Sequence, residues 1–384
     1  MNEKPTNDWD PRSEAVTHDQ VAAYDEMRHR CPVAHSDYLN LSLFRHDDVM
    51  RVLNDHETFS SAVSSYLSVP NGMDPPEHTQ YRTIIEPYFS PQRMAVFEPL
   101  CREIAATLVN GLSRGGEVEF NAQFAQDFAM NIQCAFLGWP LELRAPLLRW
   151  IRKNHGATLT GDRIALDRVA VEFDTYIKGL LAQRRQSGAE APDDITTSLL
   201  RERIGDRLLH DDEIVSILRN WTVGELGTIA ACIGILAHYL AERPDVQQRL
   251  REQPSVLPKA IDEILRIRAP LIANRRISTK SVKIGGREVP VGQRITLIWA
   301  SANRDETVFG NPDEFRLDRD PASNLLYGSG IHVCPGALLA RLELRVAMEE
   351  LLERTNWIAL APGSPLTKAV YPAAGFSALP LRIE

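Results

Sequence analysis

The residues best suited to chemistry lie in the stretch Leu325-Leu326-Tyr327-Gly328-Ser329-Gly330-Ile331-His332-Val333-Cys334-Pro335-Gly336. A cysteine sulfur can act as a nucleophile or bind a metal once it is a thiolate. Pro335 suits the first position of a helix, where a backbone N–H has no intrahelical partner to lose. Cys334 would then stand at a helix N-terminus, whose dipole and free N–H groups favour a sulfur anion. Gly328 and Gly330 let the backbone come close to a flat or bulky group. The plainer reading of a lone cysteine is a small buried hydrophobe. A phosphate-binding loop is excluded, because no strand–GxGxxG–helix order surrounds these glycines.

Several elements must position that loop. From Pro335 to about Arg354, Leu338, Leu339, Leu342, Leu344, Val346, Leu351 and Leu352 recur at helical spacing. A longer helix is predicted from Asp211, a plausible N-cap, to about Arg243, where Pro244 stops it. Thirty-odd residues at ~1.5 Å each span roughly 45–50 Å, enough to cross a whole domain. Its middle reads Trp221-Thr222-Val223-Gly224-Glu225-Leu226-Gly227-Thr228-Ile229. Each mid-helix glycine costs about 1 kcal/mol against alanine, so something should need the room beside Thr228.

His78 and Arg82 are spaced i,i+4 and would share one helical face, as a solvated stripe or as a pair of donors. Glu263 and Arg266, at i,i+3, read in isolation as a surface ion pair of little energy. The rest reads as a strand over 38–44, a short helix over 47–53 and a long loop over 60–76. Helices follow over 95–112, 124–137 and twice within 141–186, where the basic run 178–185 is a solvated face. A Gly285-Gly286 hairpin and a terminal turn and strand over 371–383 complete the chain. Residues 1–20 read as a flexible or loosely docked arm.

The ordered pattern Gly-x-Gly-x-His-x-Cys-x-Gly before a long helix resembles the haem-thiolate loop of the cytochromes P450, with Tyr327 where that family usually has Phe. Segments similar to the family's PPEHxxxR, long helix, ExxR and meander follow in family order from about residue 38 to the end. The resemblance implies a mainly α fold: a triangular helical domain with a smaller β-rich region, and haem between the long central helix and the Cys-loop helix. It implies that Cys334 binds the iron of haem b (iron protoporphyrin IX) and that His332, Gly328 and Gly330 flank it. His78, Arg82 and Arg276 would hold the propionates, with Arg275 able to share or take the last role. Glu263, Arg266 and Arg319 would form a structural cluster, and 140–190 a mobile lid. Gly224, Leu271, Ile272, Ala273 and Phe376 would line the substrate pocket.

Two departures from the family stand out. An acid usually precedes the helix threonine and relays protons; here Gly227 precedes Thr228 and Glu225 lies three residues before it. Glu225 could substitute through water or be paired elsewhere. Pro335 also removes one N–H that might otherwise serve the sulfur. The implied activity is insertion of one atom of O2 into a small or medium hydrophobic substrate, by hydroxylation or oxidative dealkylation. Its rivals are a peroxide-driven peroxygenase and, outside enzymology, a haem-based sensor.

The totals bound these readings. A chain of 384 residues with 44% hydrophobic and 24% charged residues can bury a large core. A net charge of −8 argues against nucleic acid as the main partner. Five scattered cysteines without CxxC pairs suggest neither a disulfide framework nor a zinc knuckle, and they fit a reducing cytoplasm. A polar N-terminus and the lack of an 18-residue apolar run predict no membrane association. The expectation is a single haem domain over 1–384 with no reductase domain in it. Electrons would come from a ferredoxin or a flavin/ferredoxin-type reductase, separate or fused, as in the bacterial subgroup that the Arg219–Ile229 segment resembles.

Overall fold

The computed structural model describes residues 7–371 and 374–384. Its axis is the helix Asp211–Glu242, within which Gly224–Ile229 is wound as a π-turn. Such turns open the helical ladder locally and often mark functional sites. The N-cap is His210 rather than Asp211, and the Glu213 carboxylate accepts from the His210 N–H at 2.7 Å. Among the described residues this one helix is long and apolar enough to cross a membrane, yet 72% of its apolar window is buried inside the protein. A helix apolar all round is a core helix when other helices enclose it.

Helices Pro91–Gly111, Gln126–Leu137, Leu257–Arg268 and Ala337–Arg354 pack about this axis. The helix pair Arg144–Thr160 and Arg163–Ser187 lies beside them, joined through Gly161 at φ 68° and capped by Asp162. On the other side stands a five-stranded sheet in the order Val33–Ser36, Asn40–Leu43, Arg294–Ile298, Ala273–Ser278 and Phe59–Ser60. Its one parallel pairing joins Asn40–Leu43 to Arg294–Ile298. The predicted strand over 38–44 is thus the second arm of a hairpin. Gly285 and Gly286, at φ 53° and 86°, make the predicted turn between Val282–Ile284 and Arg287–Val289.

Residues 7–20 are better docked than expected. Trp9 is buried edge-on against Tyr24 and Phe44, and Glu14–His18 is a short helix capped by Ser13. One large aromatic ring is enough to hold such a segment. The predicted basic face at 178–185 is also paired: Lys178 meets Asp212 at 2.7 Å, and Arg184 meets Asp194 at 2.8 Å.

Glu263 and Arg266 are not a surface pair. Both are buried and joined by two contacts of 2.8 and 2.9 Å. Arg319 adds a third contact at 2.9 Å, and Arg266 also donates to the carbonyls of Asn303 and Pro312. A guanidinium fork suits this role because its planar donors can serve a carboxylate and neighbouring carbonyls at once. The cluster ties the helix Leu257–Arg268 to the irregular segment that leads into the cysteine loop.

Candidate active site

The loop folds because its turns are closed by backbone bonds. The Cys334 N–H reaches back to the Tyr327 carbonyl at 2.8 Å, and Gly328 sits at φ 74°. The helix behind it starts at Ala337 with Gly336 as N-cap, two residues later than Pro335 suggests. Cys334 is exposed only towards an internal cavity of ≈ 530 Å³, which Gly328, His332, Glu225 and Thr228 also line. Burial pushes its thiol up from the ordinary value, against the pull of the Gly336 N–H and of Arg82 and Arg341. The helix terminus alone therefore does not make the thiolate; coordination to a metal would. Gly336 supplies the backbone donor that Pro335 cannot.

Thr228 and Gly224 face this cavity from the long helix. A Cβ at Gly224 would meet nothing within 4 Å, so that glycine opens space in the cavity. The room at Gly227 is filled instead by His155 of the helix Arg144–Thr160, whose Nε2 lies 3.5 Å from where a Cβ would stand.

The predicted anion ligands gather at one edge. The rings of His78 and His332 lie 4.3 Å apart, and each keeps a buried Nε2 without a partner among the described residues. Arg276 is 4% exposed, lines the cavity and has no ion-pair partner among the described residues. Burial lowers its pKa to about 10, partly offset by Asp74. Burial, then Arg276, His78 and Arg82, push His332 down to about 3. Such a field of unpartnered donors is costly unless anions fill it. Arg82 is already engaged with Glu86 and with the Val333 carbonyl at 2.9 Å. Arg275 points away and donates to the Tyr371 hydroxyl at 3.2 Å.

A haem fits these residues: a sulfur beneath an apolar slot, and at its edge, for two carboxylates, the Arg276 cation without an ion-pair partner and two imidazole nitrogens without hydrogen bonds among the described residues. Arg276→Leu should therefore have effects of opposite sign. The haem-free protein should become more stable to heat, because a buried unpaired charge is removed. Haem retention, read by transfer to apomyoglobin, should weaken by about 1.5–3 kcal/mol, the worth of a charge-assisted hydrogen bond.

Other predicted residues lie elsewhere. Gly330 packs on the Leu53 backbone, where a Cβ would collide with the carbonyl, and does not line the cavity. Leu271 and Ala273 do line it, whereas Ile272 between them points the opposite way into the cluster of Trp9, Tyr24 and Phe44. Extended chain alternates sides, so the three could not share one wall. Phe376 stacks on His238 at 4.4 Å and is not part of the lining. Sequence reasoning missed Trp299, whose buried indole N–H lacks a partner among the described residues, and Glu343, whose carboxyl is wholly buried beside the cavity.

Comparison with known proteins supplies the family. The cytochrome P450 family model matches residues 138–382. Cyclomarin C epoxidase CymV of Salinispora arenicola is 30% identical over 349 residues, 87% of this chain and 88% of that protein. The vitamin D(3) 25-hydroxylase of Pseudonocardia autotrophica is 34% identical over 304 residues, 78% of this chain and 73% of that protein. The solved structure of CYP109E1 from Bacillus megaterium in complex with testosterone superposes with a TM-score of 0.88 at 25% identity, over 97% of this chain and 99% of that one. With a cavity-facing thiol, orphaned anion donors and a threonine around one cavity, these likenesses leave one conclusion: the chain belongs to the cytochrome P450 family and is a haem-dependent monooxygenase.

Proposed function

We propose that residues 1–384 form one haem b domain that inserts an atom of O2 into a small or medium hydrophobic substrate, by hydroxylation or oxidative dealkylation. One observation carries the reading: Cys334 and Thr228 face the same largely apolar cavity. That cavity must house both porphyrin and substrate, which favours a compact apolar molecule. The vitamin D(3) hydroxylase and the testosterone-bound neighbour are named for apolar molecules of about that kind. Electrons come from a ferredoxin or a flavin/ferredoxin-type reductase, separate or fused, and the protein works in the cytoplasm. Neither nucleic acid nor membrane is a partner.

Cys334 would hold the iron through its sulfur, and His78, Arg276 and His332 would hold the propionates, while Arg82 supports the loop at Val333. The bound haem supplies oxygen activation, aided by the electron density of a thiolate ligand. Leu271 and Ala273 give the substrate an apolar wall and exclude water. Thr228 Oγ holds a proton at the cavity wall. Glu225, i,i+3 from it and with Oε1 unpartnered among the described residues, replenishes that proton through a bridging water. Thr228→Ala should uncouple the enzyme: reductant is still consumed, but product per reductant falls on the order of 10²-fold, the lower range for a positioned proton donor. Unchanged coupling would remove Thr228 from proton delivery.

A second reading rests on Gly227, which stands where an acid would serve dioxygen reduction. It makes the enzyme a peroxygenase. A spectral-shift screen of hydrophobic compounds against the ferric protein, followed by turnover of the best binder, separates the two. Product from reductant and O2 at the higher rate supports the monooxygenase; faster product from peroxide supports the rival.

A further inference from the structure

Gly227 lies in the π-turn Gly224–Ile229 but is not among the glycines held at positive φ, so the backbone does not demand a glycine there. In such a place a mid-helix glycine costs stability against alanine, and a close approach has to account for it. The approach comes from His155 of the helix Arg144–Thr160, whose Nε2 and Cε1 lie 3.5 and 3.9 Å from where the Cβ would stand. Apart from the long helix's own neighbouring residues, nothing else in the described chain comes within 4 Å of that point. An alanine methyl would just touch the ring. A side chain reaching about 1.5 Å further would have to displace the ring or turn aside.

His155 is firmly presented. It continues the buried stripe Leu147, Ile151 at i,i+4 spacing, on a face where the pattern calls for an apolar residue. On the same helix, Trp150 donates its indole N–H to the Val169 carbonyl at 2.8 Å. The Tyr38 hydroxyl donates between the carbonyls of Thr158 and Leu159, at 3.1 and 3.2 Å. The His155 ring is half-buried and makes no hydrogen bond or ion pair with a described residue. Burial pushes its pKa below the ordinary value, which favours the neutral ring. A neutral ring without polar partners acts through its shape, as a flat wedge against the long helix.

A π-turn opens the helical ladder, and such irregularities have identifiable causes, an inserted side chain among them. We propose that His155 is a positioning residue: seated in the notch at Gly227, it holds the π-turn in the winding that aims Thr228 into the cavity. The glycine before Thr228 is then a packing requirement of this chain. Of the turn's two glycines, Gly224 opens space inside the cavity and Gly227 receives the ring outside it. His155 does not line the cavity, so it acts on Thr228 and not on substrate. The inference rests on the Thr228 reading above.

The test uses the haem-loaded full chain, reduced and bound to carbon monoxide, whose C–O infrared band reports the polar groups beside it. Thr228→Ala should shift that band. His155→Ala should shift it in the same direction and add nothing in the T228A background, whereas His155→Phe, which keeps a flat ring, should leave it at the wild-type position. Product per reductant should fall in H155A by up to the order of 10²-fold, the cost of a small misplacement, while the spectral dissociation constant of the best binder stays unchanged. Gly227→Val should reproduce H155A, and the double variant G227V/H155A, in which valine fills the place of the ring, should recover most of the loss. A wild-type band in H155A beside a shifted band in T228A overturns the wedge and leaves Thr228 as assigned. A shift in H155F as large as in H155A overturns it too. A band unmoved by T228A overturns the Thr228 reading instead, and thermal unfolding then judges the contact: recovery in the double variant supports it, and additive losses overturn it.

Discussion

Cys334→Ala should reduce product formation to the level of free haem while leaving the fold in place. The side chain is exposed only to the cavity, and the loop is closed by backbone bonds such as Cys334 N–H to Tyr327 C=O at 2.8 Å, which alanine keeps. Far-UV circular dichroism and thermal unfolding of the haem-free variant should match the haem-free wild type. What disappears is the sulfur that donates electron density to the iron. His78, His332 and Arg276 remain, so the variant should still take up haem at its carboxylate edge, with altered axial ligation. An active Cys334→Ala enzyme would mean that the cysteine is only a cavity-lining residue.

Glu263→Ala should cost about 3–5 kcal/mol of unfolding free energy, because it leaves the buried Arg266 and the adjoining Arg319 without their carboxylate. Both guanidinium groups also anchor carbonyls of the segment ahead of the cysteine loop, through Asn303 and Pro312 for Arg266 and Asn311 for Arg319. Loss of stability should therefore come with loss of haem, and Glu263→Gln should restore part of each. Urea unfolding of wild type and variant, matched in haem content, gives the number. A cost below about 1 kcal/mol would place this cluster with ordinary surface pairs.

The residues that the sequence makes legible act through local spacing. The cysteine loop, the i,i+3 pair Glu263 and Arg266, and the long apolar helix each lie within a few turns of chain, so pattern alone places them. What pattern could not settle was direction. Sequence spacing puts Leu271, Ile272 and Ala273 on one apolar wall, but extended chain sends Ile272 to the far side. Gly330 shares its pattern with Gly328, yet its missing Cβ makes room for the Leu53 backbone rather than for a ligand. Contacts distant in sequence were invisible, such as His155 against Gly227 and Trp9 against Phe44. Glu343 had a signal that went unread. It lies on the stripe Leu339, Glu343, Val346 of the Cys-loop helix, and a carboxylate on a buried stripe calls for a partner or a proton.

Everything said of the site depends on one bond, from the Cys334 sulfur to haem iron. The direct measurement is the absorption spectrum of the purified protein after reduction and addition of carbon monoxide. Thiolate ligation predicts a main band well to the red of that given by an imidazole-ligated haem, in the wild type and not in Cys334→Ala. A band at the imidazole position in the wild type, or a protein that takes up no haem, would contradict the account.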